Sequence, residues 1–185
     1  ETTMALVGKY GIQGTTTSRI AAAVGVSEAA LYRHFTSRSE ILLAALDLVY
    51  ERVFRVIGAA DEAEDALERL RSIARYHSRI LDSDAEGFVY PLFEFVAAPP
   101  ETGLRDALAE RQRAAIEAIA KIVEEGKVQG AVKPEVDSVQ VAWELVGLYW
   151  TQDVSYLMGL TEHLGAGRGK LMLDHILSSI ADTPS

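Results

Sequence analysis

Apolar residues recur every three or four positions along almost the whole chain, and no segment alternates apolar and polar residues over the length of a strand. That period buries stripes on helices rather than faces of a pleated sheet, so the chain is expected to be all-α. Glycine, proline and capping residues divide the pattern into about nine helices, with no internal repeat and no low-complexity linker.

A first helix covers Met4–Ile12. Thr15, Thr16 and Thr17 then supply the start of a short helix, Ser18–Val24, closed by Gly25. Ser27 caps a second short helix to about His34, because its hydroxyl accepts from the exposed first-turn N–H groups. Ser37-Arg38-Ser39-Glu40 reads as a capping box that opens a longer helix to about Ile57, with a break from Gly58 to Asp61. A helix near Glu62–Leu81 places Leu67, Leu70, Ile73, His77, Ile80 and Leu81 on one face. The aromatic segment FVYPLFEFVAAPP follows as a separate piece ended by Pro99 and Pro100. Next comes an amphipathic helix over Glu101–Lys127, stopped at Gly130, and after Pro134 a helix over Glu135–Leu160. Gly165, Gly167 and Gly169 read as a loose connection to a last helix, Lys170–Ala181.

Composition narrows the class. The 185 residues suffice for one good core, or a small domain beside a larger one. There is no cysteine, which excludes disulfides, thiolate nucleophiles and Cys-based zinc sites. The longest uncharged run is Tyr10–Ser18, far short of the ~20 apolar residues of a membrane span. No secretory apolar region opens the chain, so a cytoplasmic location is expected. Residues 1–40 hold four Lys/Arg against three Asp/Glu, whereas residues 41–185 hold 14 against 24. An acidic body behind a slightly basic N-terminal piece suggests two tasks.

The spacing Ala21-x3-Gly25-x5-Leu31 suits a helix-turn-helix: Ala21 lets the second helix cross closely, Gly25 takes a left-handed turn, and Val26 and Leu31 fill the corner. Such a unit can lay its second helix in the DNA major groove, although an ordinary corner between two helices has the same spacing. The flanking residues go further. TTTSRIAAAVGVSEAALYRHFTSRSEIL resembles the signature of the TetR family of bacterial transcriptional repressors: threonines before Ile20-Ala21, then Gly25-Val26-Ser27, then Leu31-Tyr32 and His34-Phe35, then a basic residue opening the next helix. The resemblance covers about 45 residues, and the remainder matches only in size and helical pattern. It implies a three-helix DNA-binding domain over residues 1–45 and a helical effector-binding and dimerisation domain over 46–185.

By that resemblance Thr16 and Thr17 would start the supporting helix and offer a hydroxyl and N–H groups to phosphate. Ser27, Glu28, Ala29 and Ala30 would form the groove-facing turn, Tyr32 and His34 would donate to phosphates, and Arg38 would add a cation where the family usually has lysine. Arg33 stands where many relatives carry an aromatic residue, and Ala29 where the family often has glycine. Glu28 and two alanines make a sparse set for reading bases: an acceptor for cytosine N4 and methyls for thymine.

In the body, the helix around Glu135–Leu160 carries two apolar stripes, Trp143, Gly147, Trp150, Val154 and Leu157 on one side and Ala142, Val146, Tyr149, Asp153, Tyr156 and Leu160 on the other. A helix apolar on two sides must be covered on two sides, by its own domain and by a second subunit, unless it is the central helix of a monomer. The last helix adds Leu173, Ile176, Leu177 and Ile180, so two helices per subunit would make a homodimer interface from Trp150, Val154, Leu157, Leu173, Ile176, Leu177 and Ile180. The resemblance implies the same dimer. Polar groups within apolar stripes mark a candidate ligand pocket: His77, Gln112 and Asp153, with Phe88, Phe93, Trp143 and Tyr149 as ring walls.

No catalytic motif, metal-ligand spacing or phosphate-binding glycine loop is present, and no cofactor is expected. The expected function is a dimeric repressor on a palindromic double-stranded DNA operator, released when a small apolar or aromatic effector shifts the body to a spacing that no longer fits the site. An alternative keeps the DNA contact and makes the body a module that recruits a protein partner.

Overall fold

A computed structural model describes residues 1–59, 65–162, 164 and 166–182, with the side chains of residues 59, 82–88 and 166 outside the description. Eight α-helices lie among the described residues: α1 Thr2–Gly14, α2 Thr17–Val24, α3 Glu28–Leu31, α4 Arg38–Ala59, α5 Ala66–Val96, α6 Leu104–Gln129, α7 Ser138–Leu157 and α8 Ala166–Ile180. A 3-10 turn at Pro100–Thr102 precedes α6. No strand forms among the described residues, and an isolated antiparallel bridge pairs Val132 with Ala181. The expected all-α fold is what forms.

Local chemistry explains most helix ends. Thr16 caps α2 by accepting from the Arg19 N–H, and Ser27 caps α3 by accepting from the Ala30 N–H. Gly25 ends α2 at φ 75° and ψ 29°, where a Cβ would be strained, while the Val26 N–H returns to the Ala21 carbonyl at 3.0 Å. The capping box at α4 differs from expectation by one residue. Ser37 accepts from the Glu40 N–H, but the Glu40 carboxylate reaches past Ser37 to the N–H and hydroxyl of Thr36. Those bonds hold the Glu40 carboxyl below its usual range. Asp137 caps α7, accepting from Val139 and Gln140 at 2.9 and 3.1 Å.

Three expectations need correction. The aromatic segment is not a separate piece, because α5 runs unbroken from Ala66 to Val96 with Pro91 inside it. A proline within a helix costs about 3 kcal/mol. Val89 and Phe95 on either side are fully buried, and each such burial contributes roughly 1.5–3 kcal/mol, enough to offset it. Gly167 and Gly169 are not linker residues either, since α8 begins at Ala166 and contains both. The expected break from Gly58 to Asp61 begins later, because Gly58 and Ala59 still belong to α4. The rest of that break and the expected helix start at Glu62 lie outside the described residues.

The chain divides into two compact units, Glu1–Arg52 with Asp84–Gln112, and Val53–Ser83 with Arg113–Ser185. In the first, Ile20, Ala21, Leu31 and Ile41 form a buried cluster flanked by Leu6 and Phe35, so α2, α3 and the start of α4 share one small core. α1 is interrupted at Gly11, φ 67° and ψ 171°, and the freed Ile12 N–H donates to the Glu94 carboxylate at 2.9 Å. A Cβ at residue 11 would lie 2.9 Å from a Glu94 oxygen, so glycine is required there twice over. In the second unit, Leu70, Ile122, Val123, Leu145 and Leu177 are fully buried, and α7 packs along α8.

That second unit also contains a buried cation. Arg69 is 6% exposed, and its guanidinium donates to the Glu125 carboxylate, whose pKa is held below the usual value of 4.5 mainly by that bond. A lowered folded-state pKa contributes stability above the unfolded value, lost as pH falls through the folded one. Glu125→Gln should therefore lower unfolding free energy by about 1–2 kcal/mol at pH 7, less than the ~3–5 of a fully buried pair because Glu125 is partly solvated. In urea titrations the gap from the parent should close below pH 4; a gap unchanged with pH would contradict the pairing.

Candidate nucleic-acid interface, open helix face and cleft

The α2–α3 corner is held by side chains at both starts. The Thr17 hydroxyl donates to the Glu28 carboxylate at 2.9 Å, clasping the start of α2 to that of α3. Glu28 is therefore an acceptor already engaged, and Thr17 is half-buried. Thr16 is exposed, and its hydroxyl hydrogen is free because its oxygen only accepts within the cap. Ser27, Glu28 and Ala29 are exposed at the start of α3, with Ala30 half-buried behind them.

α3 is shorter than the expected helix to His34. Its α-helical part ends at Leu31, and the chain continues through a turn in which the His34 and Phe35 N–H groups return to the Leu31 carbonyl at 2.9 and 3.0 Å. That turn presents Tyr32, Arg33 and His34 to solvent, with Tyr32 50% exposed, while Phe35 turns inward. A helix start bordered by a hydroxyl, a phenol, a guanidinium and an imidazole has the donors that phosphates accept.

Arg38 is placed differently from the others. Its Nε donates to the Thr15 carbonyl at 2.7 Å and its Nη2 to the Ile12 carbonyl, so the guanidinium ties the end of α1 and the α1–α2 turn to the start of α4. The residue is half-buried and its fork is spent on the main chain.

The two apolar stripes of α7 separate in part, with Tyr149 and Tyr156 half-buried and Leu160 exposed beyond the end of the helix. Ala142 and Val146 are buried within the chain, as is Asp153, whose carboxylate lies 2.9 Å from His77 Nε2. The other stripe stays open: Val139 is 55% exposed, Trp143 58% and Met158 66%, with Gly147 and Val154 also exposed and Trp150 and Leu157 half-buried. On α8 the open apolar residues are Leu171 and Met172, with Ile176 half-buried. Leu173, Leu177 and Ile180 are buried inside the chain's own core. The sequence pattern missed Leu171 and Met172, because a one-sided reading of α8 assigns its single best stripe to whichever cover is assumed.

The candidate pocket residues do not converge. The Gln112 carbonyl oxygen accepts from the Tyr50 hydroxyl at 2.8 Å within the first unit, where Phe93 is half-buried. The Phe88 side chain lies outside the description, and Trp143 belongs to the open stripe. His77 pairs with Asp153 and stacks on Tyr149, ring centroids 4.7 Å apart. Tyr149 alone of the seven lines the cleft of about 330 Å³ between α5, α7 and α8. Its apolar walls include Ala74, Leu148 and Leu173, and Arg75, Arg79 and Lys170 stand at its edge with Gln152. The arginines were missed because charges at i and i+4 on a helix read as a solvated face.

Among the described residues no group of three or more His, Asp or Glu could hold a metal ion, and no helix is long and apolar enough to cross a membrane.

The fold and the corner define a class. Residues 1–45 match the family described as bacterial regulatory proteins, tetR family. The whole fold is shared with a TetR-family transcriptional regulator from Cytophaga hutchinsonii, at a TM-score of 0.80 and 17% identity over 99% of this chain and 92% of that one. The match to the tetR family is thus carried by the N-terminal 45 residues, and that family and the neighbours in fold are regulators rather than enzymes. Two particular proteins sharpen the comparison. The nucleoid occlusion factor SlmA of Photobacterium profundum is 31% identical over 126 residues, 58% of this chain and 62% of that protein, so the chain spans less than two thirds of that relative's length. FadR of Bacillus subtilis, solved in complex with stearoyl-CoA, has a TM-score of 0.80 at 19% identity, over 97% of this chain and 96% of that one.

Proposed function

We propose that this chain binds an operator in double-stranded DNA as a homodimer and represses transcription until a small molecule in its body lowers its affinity. The observation that carries the reading is the α2–α3 corner: two side-chain caps, a left-handed Gly25 and an exposed run of Ser27, Glu28, Ala29, Tyr32, Arg33 and His34. A division of labour at residue 45 belongs to the same reading. The open stripe of α7 with Leu171 and Met172 supports the dimer, because a contiguous apolar face of this kind marks an interaction surface. The cleft supports an effector, and FadR, solved with stearoyl-CoA, is a precedent for a small ligand in this fold.

Arg33 and Tyr32 provide the grip. Selecting duplexes from a random pool with the full chain should enrich a palindrome. On that duplex Arg33→Ala should weaken binding to all sequences alike and lower the slope of log affinity against log salt by about one. Tyr32→Ala should weaken binding without changing the slope. No enrichment, or unchanged affinity in both variants, would contradict the assignment.

A second reading is favoured by the extent of the SlmA match, which takes in 58% of the chain where the tetR-family match takes 45 residues. In that reading the body recruits a protein partner to many chromosomal sites. Mapping occupied sites in cells separates the two: a few promoters support repression, and sites scattered outside promoters support recruitment.

A further inference from the structure

The cleft divides its chemistry in a way that packing alone does not require. Its depth is apolar, with Ala74, Leu148 and Leu173 buried and the ring of Tyr149 beside them. Its edge carries Arg75, Arg79 and Lys170, and no carboxylate lines it, in a chain of net charge −9. Arg75 pairs with Glu68 at 2.8 Å, but both groups are about half exposed, and such a pair exchanges readily for a better anion. Arg79 lies 5.9 Å from the Tyr76 ring centroid. Lys170 is exposed at the opposite side of the cleft, on α8.

Gln152 adds a neutral polar group to the same cleft. It is 9% exposed, lines the cleft, and its carboxamide makes no hydrogen bond to any described residue. Its Nε2 atom lies where a Cβ of residue 169 would stand, so Gly169 makes the room it occupies. The Tyr149 hydroxyl is likewise without a partner among the described residues, and burial pushes its pKa up, so it stays a neutral donor. Both side chains therefore keep hydrogen-bonding capacity for a polar atom that enters the cleft.

We propose that this cleft binds an amphipathic anion: an apolar chain or ring whose carbonyl or carboxylate oxygen meets Gln152 and Tyr149 and whose negative charge, on that carboxylate or on a phosphate beyond it, lies among Arg75, Arg79 and Lys170. The proposal rests on the effector reading and gives it a chemical class. About 330 Å³ is at the low end of the ~300–1,000 Å³ of small-molecule sites, so the apolar part is short or of medium length. Arginine forks match carboxylate and phosphate alike, so either source of the head is accommodated.

The test is calorimetric titration of the full chain, free of DNA, with sodium octanoate, octanoyl-CoA, coenzyme A and 1-octanol. Octanoate or octanoyl-CoA should bind at least about tenfold more tightly than 1-octanol, and Lys170→Glu or Arg79→Glu should weaken that binding by about tenfold each. Lys170 is an exposed position, so thermal melting of Lys170→Glu should not move. Gln152→Leu should weaken the acyl compounds and leave 1-octanol unchanged. Binding of octanoate identifies a carboxylate head, and binding of octanoyl-CoA alone identifies a phosphate-bearing one. Equal binding of 1-octanol, no binding of any probe, or indifference to both edge variants would overturn the proposal. DNA affinity measured with the same compounds keeps the two readings apart. Octanoyl-CoA that binds without weakening DNA binding supports the cleft and sinks the effector reading; 1-octanol that binds equally and releases DNA does the reverse.

Discussion

Trp143→Glu should yield a monomer in sedimentation at micromolar concentration, where the parent should sediment as a dimer. Trp143 is 58% exposed in the single chain, amid Val139, Gly147, Val154 and Met158 on one side of α7. A two-fold interface uses the same patch twice, so one substitution places two carboxylates in it. Tryptophans at such centres commonly carry about 2 kcal/mol or more, and a loss of that size raises the dissociation constant at least ~30-fold. The effect on DNA is larger. Linking two half-site readers gives the second an effective millimolar concentration, so losing the link should lower affinity for a palindrome by about 10²–10⁴. Val128→Glu is the control, since Val128 is 91% exposed on α6, outside the stripe, and should leave the dimer intact. A Trp143→Glu protein that remains dimeric would place the interface elsewhere.

Arg38→Ala should abolish DNA binding by loosening the motif rather than by removing a phosphate contact. The guanidinium donates to the carbonyls of Thr15 and Ile12, and a hydrogen bond from a charged group contributes about 1.5–3 kcal/mol. Since Arg38 is half-buried, the loss should be about 2–3 kcal/mol in urea titration. Arg38→Lys separates the two roles. Lysine keeps the charge but has no fork to span two carbonyls, so it should recover little stability and little affinity. Full affinity with lysine would show that a cation at residue 38 serves the phosphates, as the family resemblance implied.

The DNA-facing half was legible because its determinants are local. Thr16, Gly25, Ser27 and Ser37 act on N–H and carbonyl groups within a few residues, so the ends of α2 and the starts of α3 and α4 fall within a residue or so of their expected places. Where local rules failed, distant packing had overruled them. Pro91 should end a helix, but buried Val89 and Phe95 carry α5 through it. The pocket failed for a related reason. His77 and Asp153 each look misplaced in an apolar stripe, yet they are 76 residues apart in sequence and pair through His77 Nε2, leaving His77 Nδ1 without a hydrogen bond among the described residues; Gln112 is bonded by Tyr50. A polar group in an apolar stripe marks a buried partner at least as readily as a ligand, and sequence alone does not show which. The telling residue was Gln152, whose lack of a partner is visible only once its surroundings are placed.

Glu28 illustrates how the structure narrows base reading. Its carboxylate already holds the Thr17 hydroxyl, leaving Ala29 and Ala30 with methyl groups alone. In the proposed reading, sequence preference would then fall to thymine methyls and to the shape of the duplex.

The central claim is that two copies of the α2–α3 corner grip one duplex. Hydroxyl-radical footprinting of the full chain on its selected palindrome tests it most directly. The account predicts two protected patches related by the palindrome's two-fold axis, with centres one helical turn, about 10 base pairs, or a whole multiple apart, both weakened by Arg33→Ala. A single patch, a spacing unrelated to the helical repeat, or protection indifferent to Arg33 would contradict it.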